Sequence, residues 1–176
     1  GISKIIHGAT VIATGVDVYQ PTEYLYGEDD RVMTHIELEE LITDRDERVT
    51  NAKSVVMIQC VGCRNEDRNY CSRVCCSESI KNALLLKELN PETDVYILFR
   101  DVRTYGYLED HYREAANQNV RFIRYEPDEK PEIEAVVEEG QPVLRVTLPD
   151  YVLGQKIAID ADIVMLAAAA IPPEGN

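Results

Sequence analysis

Five cysteines, Cys60, Cys63, Cys71, Cys75 and Cys76, fall within seventeen residues, and the remainder of the 176-residue chain has none. Their spacing is C-x2-C-x7-C-x3-C-C. Thiols at this density hold a metal, run thiol–disulfide chemistry, or pack as small apolar side chains. A structural zinc site wants four tetrahedral thiolates, usually as two C-x2-C knuckles, and the C-x3-C-C half fits that geometry poorly. A redox pair needs Cys60 and Cys63 alone and leaves three thiols without a purpose. Inert packing sits badly with Arg64, Asn65, Glu66, Asp67 and Arg68, which make the loop polar. A [4Fe–4S] cluster needs four thiolates and tolerates irregular spacing, because the cubane spreads its ligands. On spacing alone the iron–sulfur, zinc and redox-thiol readings all stay open.

The elements that must position these thiols are a strand before them and a helix after them. Ser54-Val-Val-Met-Ile-Gln-Cys60 is a run of β-formers. Ser77 to Leu89 repeats apolar residues at helical spacing through Ile80, Ala83, Leu84 and Leu86, and Asn90-Pro91 ends it. Helix N-terminal N–H groups and the helix dipole favour thiolates and an anionic cluster there. The cysteines thus occupy the place of a dinucleotide-binding glycine loop. A nicotinamide-binding unit would carry G-x-G-x-x-G between these elements, and the chain offers only Val61-Gly62. The expectation is that this unit does not bind NAD(P).

Further along, Val95–Phe99 and Val120–Ile123 read as strands and Leu108–Asn117 as a helix, which implies parallel pairing with right-handed crossovers. Ile133–Val137, Val143–Leu148 and Gln155–Ile159 alternate apolar and polar residues, with turns at Glu139-Gly140 and Pro149–Gly154, as an antiparallel meander does. Asp160 to Ala167 reads as a last buried strand. Before the cysteines, Gly8 to Gly15 reads as a short buried strand ending in a glycine turn, and Val16 to Tyr26 as a loop. Thr34-His-Ile-Glu37 has the form of a capping box and should start a helix through Ile42. Asp44 to Lys53 reads as a charged linker. The fold expected is α/β, a Rossmann-like parallel sheet with an antiparallel meander. The divisions expected are 1–50 as a segment of a flanking domain with its linker, 51–160 as the Rossmann-like domain carrying the cysteines, and 161–176 as a strand returning to the flanking domain.

A formal net charge of −14, with no basic stripe, argues against nucleic acid as a partner. Solubility is the bland reading of that acidity. No apolar run approaches the ~20 residues of a membrane span. No signal peptide opens the chain, and an odd, local set of cysteines is not a secreted disulfide scaffold, so the chain is placed in the cytoplasm. His7, His35 and His111 show no ligand spacing to the thiols and receive no role. Both ends read as cut from a larger protein.

Gln59-Cys-Val-Gly-Cys-Arg64 followed by Tyr70-Cys-Ser-Arg-Val-Cys-Cys76 closely resembles the family of heterodisulfide reductase A-type subunits. Arg100-Asp-Val-Arg-Thr-Tyr-Gly106 and Val120-Arg-Phe-Ile-Arg-Tyr125 are similar to that family as well. Ala13-Thr-Gly15 looks like the strand-turn of flavin disulfide reductases, and Asp160–Ala167 like the strand that closes their pyridine-nucleotide domain. The resemblance covers nearly the whole chain. It implies a thioredoxin-reductase-like part of an FAD protein, with Cys60, Cys71, Cys75 and Cys76 as ligands of a [4Fe–4S] cluster. The family pattern has serine where this chain has Cys63, which makes Cys63 a fifth thiol and the alternate ligand to Cys60. Lys81 is implied to face flavin and cluster, against the plain reading of a solvated lysine. Thr14 and Gly15 are implied to touch FAD once the flavin-binding half is present. Arg100 and Arg103 are expected to pair with carboxylates. The implied activity is electron transfer between FAD and the cluster within an oxidoreductase complex, the fragment alone being inactive. The implied partners are the other subunits of that complex, and a homodimer is admitted.

Overall fold

The computed structural model describes residues 3–138 and 140–173, so that Glu139 of the expected Glu139-Gly140 turn lies outside the described residues. Its centre is a five-stranded parallel sheet in the order β2-β9-β3-β4-β5. These strands are β2 (Val32–Thr34), β3 (Ser54–Val61), β4 (Asp94–Phe99), β5 (Arg121–Arg124) and β9 (Ile163–Ala168). Residues Val55 to Ile58 are fully buried, and so are Val164 to Ala167. Both faces of the sheet are covered, which is why these strands read as continuous apolar runs rather than alternating ones.

One face carries the helices α1 (His35–Asp44), α3 (Cys75–Leu89) and α4 (Leu108–Asn117). Leu38, Ile80, Ala83 and Leu86 pack there with Met57, Ile97 and Met165. The other face carries the three-stranded meander β6 (Glu132–Glu138), β7 (Gln141–Asp150) and β8 (Gln155–Ala161). Leu144, Val146 and Leu148 of β7 pack with Val56, Ile58 and Leu166. The expected α/β architecture is therefore present, with parallel sheet, crossover helices and antiparallel meander. The sheet draws strands from all three stretches 1–50, 51–160 and 161–176.

Several local expectations hold in detail. Thr34 caps α1: its hydroxyl accepts from the Glu37 N–H while the Glu37 carboxylate accepts from the Thr34 N–H at 2.6 Å. Helix α3 ends where Asn90-Pro91 predicts, and the buried Lys87 ammonium donates to the Pro91 and Thr93 carbonyls at 2.7 and 2.8 Å. It begins two residues earlier than expected, which puts Cys75 and Cys76 in its first turn.

Three expectations are corrected. Gly8 to Gly15 forms no strand and is exposed throughout. Ile6 and Val11 are 96% and 86% exposed, since this apolar run finds no neighbouring strand among the described residues. The first pairing at this end is the two-residue β1 (Asp17–Val18) with β10 (Ala170–Ile171). The stretch Asp44–Lys53 is not merely a linker. It holds α2 (Glu47–Thr50), capped by the Asp46 side chain, and it buries Val49 and Ala52. The strand expected over Asp160–Ala167 is two strands, divided at Asp162, whose carboxylate accepts from the N–H groups of Lys53 and Ser54. No helix among the described residues is long and apolar enough to cross a membrane.

Candidate metal centre

Strand β3 delivers the first thiol through a strained bend. Its pairing with β9 slips between Ile58 and Val61, and Cys60 takes φ 64°, a left-handed conformation that a β-carbon disfavours. Gly62 follows at φ 77°. A β-carbon on Gly62 would stand 2.1 Å from Cδ1 of Tyr19, so the close approach of that ring requires glycine. The bend lies at the carboxyl end of a parallel strand, where open α/β sheets bind their ligands.

Beyond it the loop is closed by its own backbone. The Arg64 N–H donates to the Tyr70 carbonyl at 3.1 Å, and the Asn65 N–H to the Arg68 carbonyl at 3.2 Å. Side chains then fasten it to the end of the sheet. The Tyr70 hydroxyl donates to the Ala170 carbonyl at 3.1 Å, and Ser72 Oγ accepts from the Ala170 N–H at 3.0 Å. The chain enters α3 at Val74 without any side-chain cap, so the first-turn N–H groups around Cys75 and Cys76 are free of one.

The five thiols are all free. They share one electrostatic neighbourhood: Cys60, Cys71 and Cys76 each disfavour a thiolate at Cys75, and Cys60 and Cys71 do the same at Cys76. Burial pushes the Cys75 thiol up to about 12, with a Ser72 hydrogen bond pulling back. Burial also raises Cys76, opposed by the Arg103 N–H. The neighbouring Cys63 raises the Cys60 thiol, and Cys60 lowers Cys63 in turn, with Ser72 pulling Cys63 the same way. Several thiolates this near one another repel, and a bound cation or metal cluster removes that penalty.

A second loop, residues 100–104, closes over the first. Arg100 Nη1 donates to the Arg64 carbonyl at 2.8 Å, and Arg64 Nη1 pairs with Asp101 at 2.7 Å. Cys76 Sγ donates to the Asp101 carbonyl at 3.7 Å. Tyr125 holds the base of the site, its buried hydroxyl donating to the Gln59 carbonyl at 2.6 Å. A cavity of about 310 Å³ opens beside the bend, lined among others by Tyr24, Cys60, Cys63, Arg64, Arg100 and Tyr125.

The candidate residues thus fall into two sets. The cysteines lie at the end of β3, in the loop after it and in the first turn of α3, whereas Lys81 lies further along α3 and Thr14 and Gly15 precede β1. The Lys81 ammonium pairs with Glu39 of α1 at 2.7 Å. Thr14 and Gly15 belong to the exposed stretch before β1. Arg103 pairs with the Asp101 carboxylate at 3.3 Å, as expected. Arg100 instead serves the Arg64 carbonyl, which corrects the carboxylate expectation. Sequence reasoning gave no role in the site to Arg64, Ser72 or Asp101. Their signal was position alone: each lies within four residues of a cysteine or of Arg100.

A single tetrahedral zinc ion would need its four sulfurs about 3.8 Å apart, given Zn–S bonds of about 2.3 Å. Among the described residues no group of three or more His, Cys, Asp or Glu side chains is gathered so as to hold a metal ion. The donors available are sulfur-only, partly buried, and set between a strand end and an uncapped helix start, the chemistry a thiolate-held centre would draw on.

No family model matches the chain. Among solved structures, T. acidophilum thioredoxin reductase aligns with TM-score 0.54 at 14% identity, over 90% of this chain and 43% of that one. An ornithine N-hydroxylase from Kutzneria sp. 744, solved with reduced FAD, NADP+ and L-ornithine, aligns with TM-score 0.52 at 13% identity, over 89% of this chain and 44% of that one. The fold is thus thioredoxin-reductase-like. Among curated proteins, the A-type subunit of the H2:CoB-CoM heterodisulfide,ferredoxin reductase of Methanothermobacter marburgensis is 37% identical over 96% of this chain and 27% of its own length. The A-type iron-sulfur subunit of the CoB–CoM heterodisulfide reductase of Methanocaldococcus jannaschii is 37% identical over 98% of this chain and 28% of its own length. The chain is homologous to a part of these heterodisulfide reductase A-type subunits, and it spans about a quarter of their length.

Proposed function

We propose that this chain is the iron–sulfur part of a flavin-containing oxidoreductase related to the A-type subunits of heterodisulfide reductase. In this reading Cys60, Cys71, Cys75 and Cys76 hold a [4Fe–4S] cluster, with Cys63 as the alternate ligand to Cys60. The observation that supports it is placement: Cys60 at the end of β3, Cys75 and Cys76 in the uncapped first turn of α3, and a polar loop carrying Cys63 and Cys71 between them. When bound, the cluster would supply one-electron transfer to and from FAD. The M. jannaschii relative is named an iron-sulfur subunit, in agreement with the reading.

The chain's own residues have separable tasks. Cys75 and Cys76, protonated at neutral pH through burial, give up their protons as they become ligands. The Arg103 N–H then faces a sulfur anion rather than a thiol. Ser72 ties the loop to β10 and donates toward Cys63. Lys81, Thr14 and Gly15 are the proposed contacts to FAD. For Lys81 that role requires exchanging the Glu39 carboxylate for the flavin. The proposed partners are the other subunits of a heterodisulfide-reductase-like complex.

Replacing each cysteine by serine and counting iron after anaerobic purification tests the ligand set. Iron should fall in the Cys60, Cys71, Cys75 and Cys76 variants and persist in Cys63→Ser. Loss in Cys63→Ser with retention in Cys60→Ser reverses the assignment.

One observation favours a second reading. Cys60 and Cys63 stand at C-x2-C spacing across a tight turn, the Cys63 N–H donating to the Cys60 carbonyl at 3.4 Å, as a thiol–disulfide pair would be placed. In that case alkylating one thiol abolishes reductase activity without altering metal content.

A further inference from the structure

Arg64 is held at its backbone N–H, its carbonyl and its Nη1. Its N–H donates to the Tyr70 carbonyl at 3.1 Å, and its carbonyl accepts from Arg100 at 2.8 Å. Its Nη1 pairs with Asp101 Oδ2 at 2.7 Å, and the same Nη1 lies 3.8 Å from Cys60 Sγ. Its backbone takes φ 56°, which arginine does not favour unaided, so these bonds hold a conformation the residue would otherwise leave. The side chain is 18% exposed, so water screens its charge little. The Asp101 that anchors it also offers its carbonyl to Cys76. Arg64 and Asp101 therefore form a bridge from the first thiol of the cluster motif to the last.

An arginine in an acidic chain usually pairs with a carboxylate and lies on the surface. Here the pairing carboxylate and a second arginine aim the guanidinium at a sulfur. A fixed positive charge at a ligand sulfur stabilises whichever state of the centre is more negative.

We infer that Arg64, held by Asp101 and Arg100, is the residue that sets the reduction potential of the thiol-held centre, through its charge at Cys60. The inference rests on the cluster reading above. When the centre gains one electron from a one-electron reductant, no bond forms or breaks at Arg64 and its guanidinium stays protonated. Its charge favours the reduced state, so removing that charge makes reduction harder.

The test is an anaerobic redox titration of the iron-loaded chain, with added dithionite as donor and iron counted in each variant. Arg64→Gln should keep its iron and lower the equilibrium constant for reduction about tenfold, a downward shift of about 59 mV for one electron. Arg64→Lys, which keeps the charge, should stay closer to the parent than Arg64→Gln does. An Arg64→Gln chain with full iron and the parent potential overturns the inference while leaving the cluster reading intact. A parent chain that holds no iron overturns the cluster reading itself. If Arg64→Gln loses its iron, Arg64→His decides. Its potential should rise more steeply than the parent's as pH falls from about 8 to about 6 and the imidazole gains charge. A slope no steeper than the parent's contradicts the inference.

Discussion

Gly62 and Tyr19 meet so closely that a β-carbon on the glycine would stand 2.1 Å from ring atom Cδ1 and 2.5 Å from Cε1. Tyr19 is pinned in turn by its N–H, which donates to the Ala169 carbonyl at 2.8 Å, and by Arg68, whose guanidinium stacks 4.8 Å from the ring centroid. The segment that crosses from β1 is thereby pressed onto the bend that presents Cys60.

Gly62→Ala should therefore destabilise the chain by about 2–4 kcal/mol, from a left-handed φ and a ring that must move. Denaturant unfolding reads the loss, and iron content should fall with it. Adding Tyr19→Ala should relieve the clash but not the backbone strain, so the double variant should be more stable than the sum of the two single losses allows. Strict additivity would contradict the contact.

Tyr125→Phe removes a buried donor from the Gln59 carbonyl, one residue before the first cysteine. Leaving that carbonyl unpaired should cost about 1–3 kcal/mol. Burial raises the phenol well above its ordinary value, so the hydroxyl stays a donor and the cost should be the same at pH 7 and pH 9. A cost that vanishes by pH 9 would show that the hydroxyl ionises there.

Burial holds His35 below the ordinary histidine pKa, with Glu78, 3.4 Å from its Nε2, pulling the other way. The unfolded chain thus binds this proton more readily than the folded one. Stability is full above about pH 6.5 and is lost as pH falls from there toward the folded pKa. Thermal midpoints should drop between pH 7.5 and pH 5.5, and His35→Gln should show a shallower drop. An equally steep slope in the variant would assign the effect to carboxylates instead.

The sheet and its helices were legible because their signals are local. The continuous apolar run Val55–Ile58, the spacing of Ile80, Ala83 and Leu86, and the Thr34–Glu37 capping box each need only their own segment. What failed needed a partner. Gly8 to Gly15 has the composition of a strand, but a strand exists only when a neighbour takes its hydrogen bonds. Strand β2 is three residues long, too short to show a period, and owes its place to β9. The cysteines mark a candidate site by their density, whereas Arg64 and Asp101 come together from segments 37 residues apart in sequence, with nothing periodic to announce them. The Lys81–Glu39 pair likewise joins α3 to α1 across segments that no local pattern links.

Whether this thiol group holds a [4Fe–4S] cluster is decided most directly by metal and sulfide analysis of the anaerobically purified chain, read together with its visible spectrum. A cluster-bearing chain should carry about four irons with matching acid-labile sulfide and a broad brown absorption near ~400 nm. A colourless chain holding one tightly bound zinc and no iron would contradict the proposed centre.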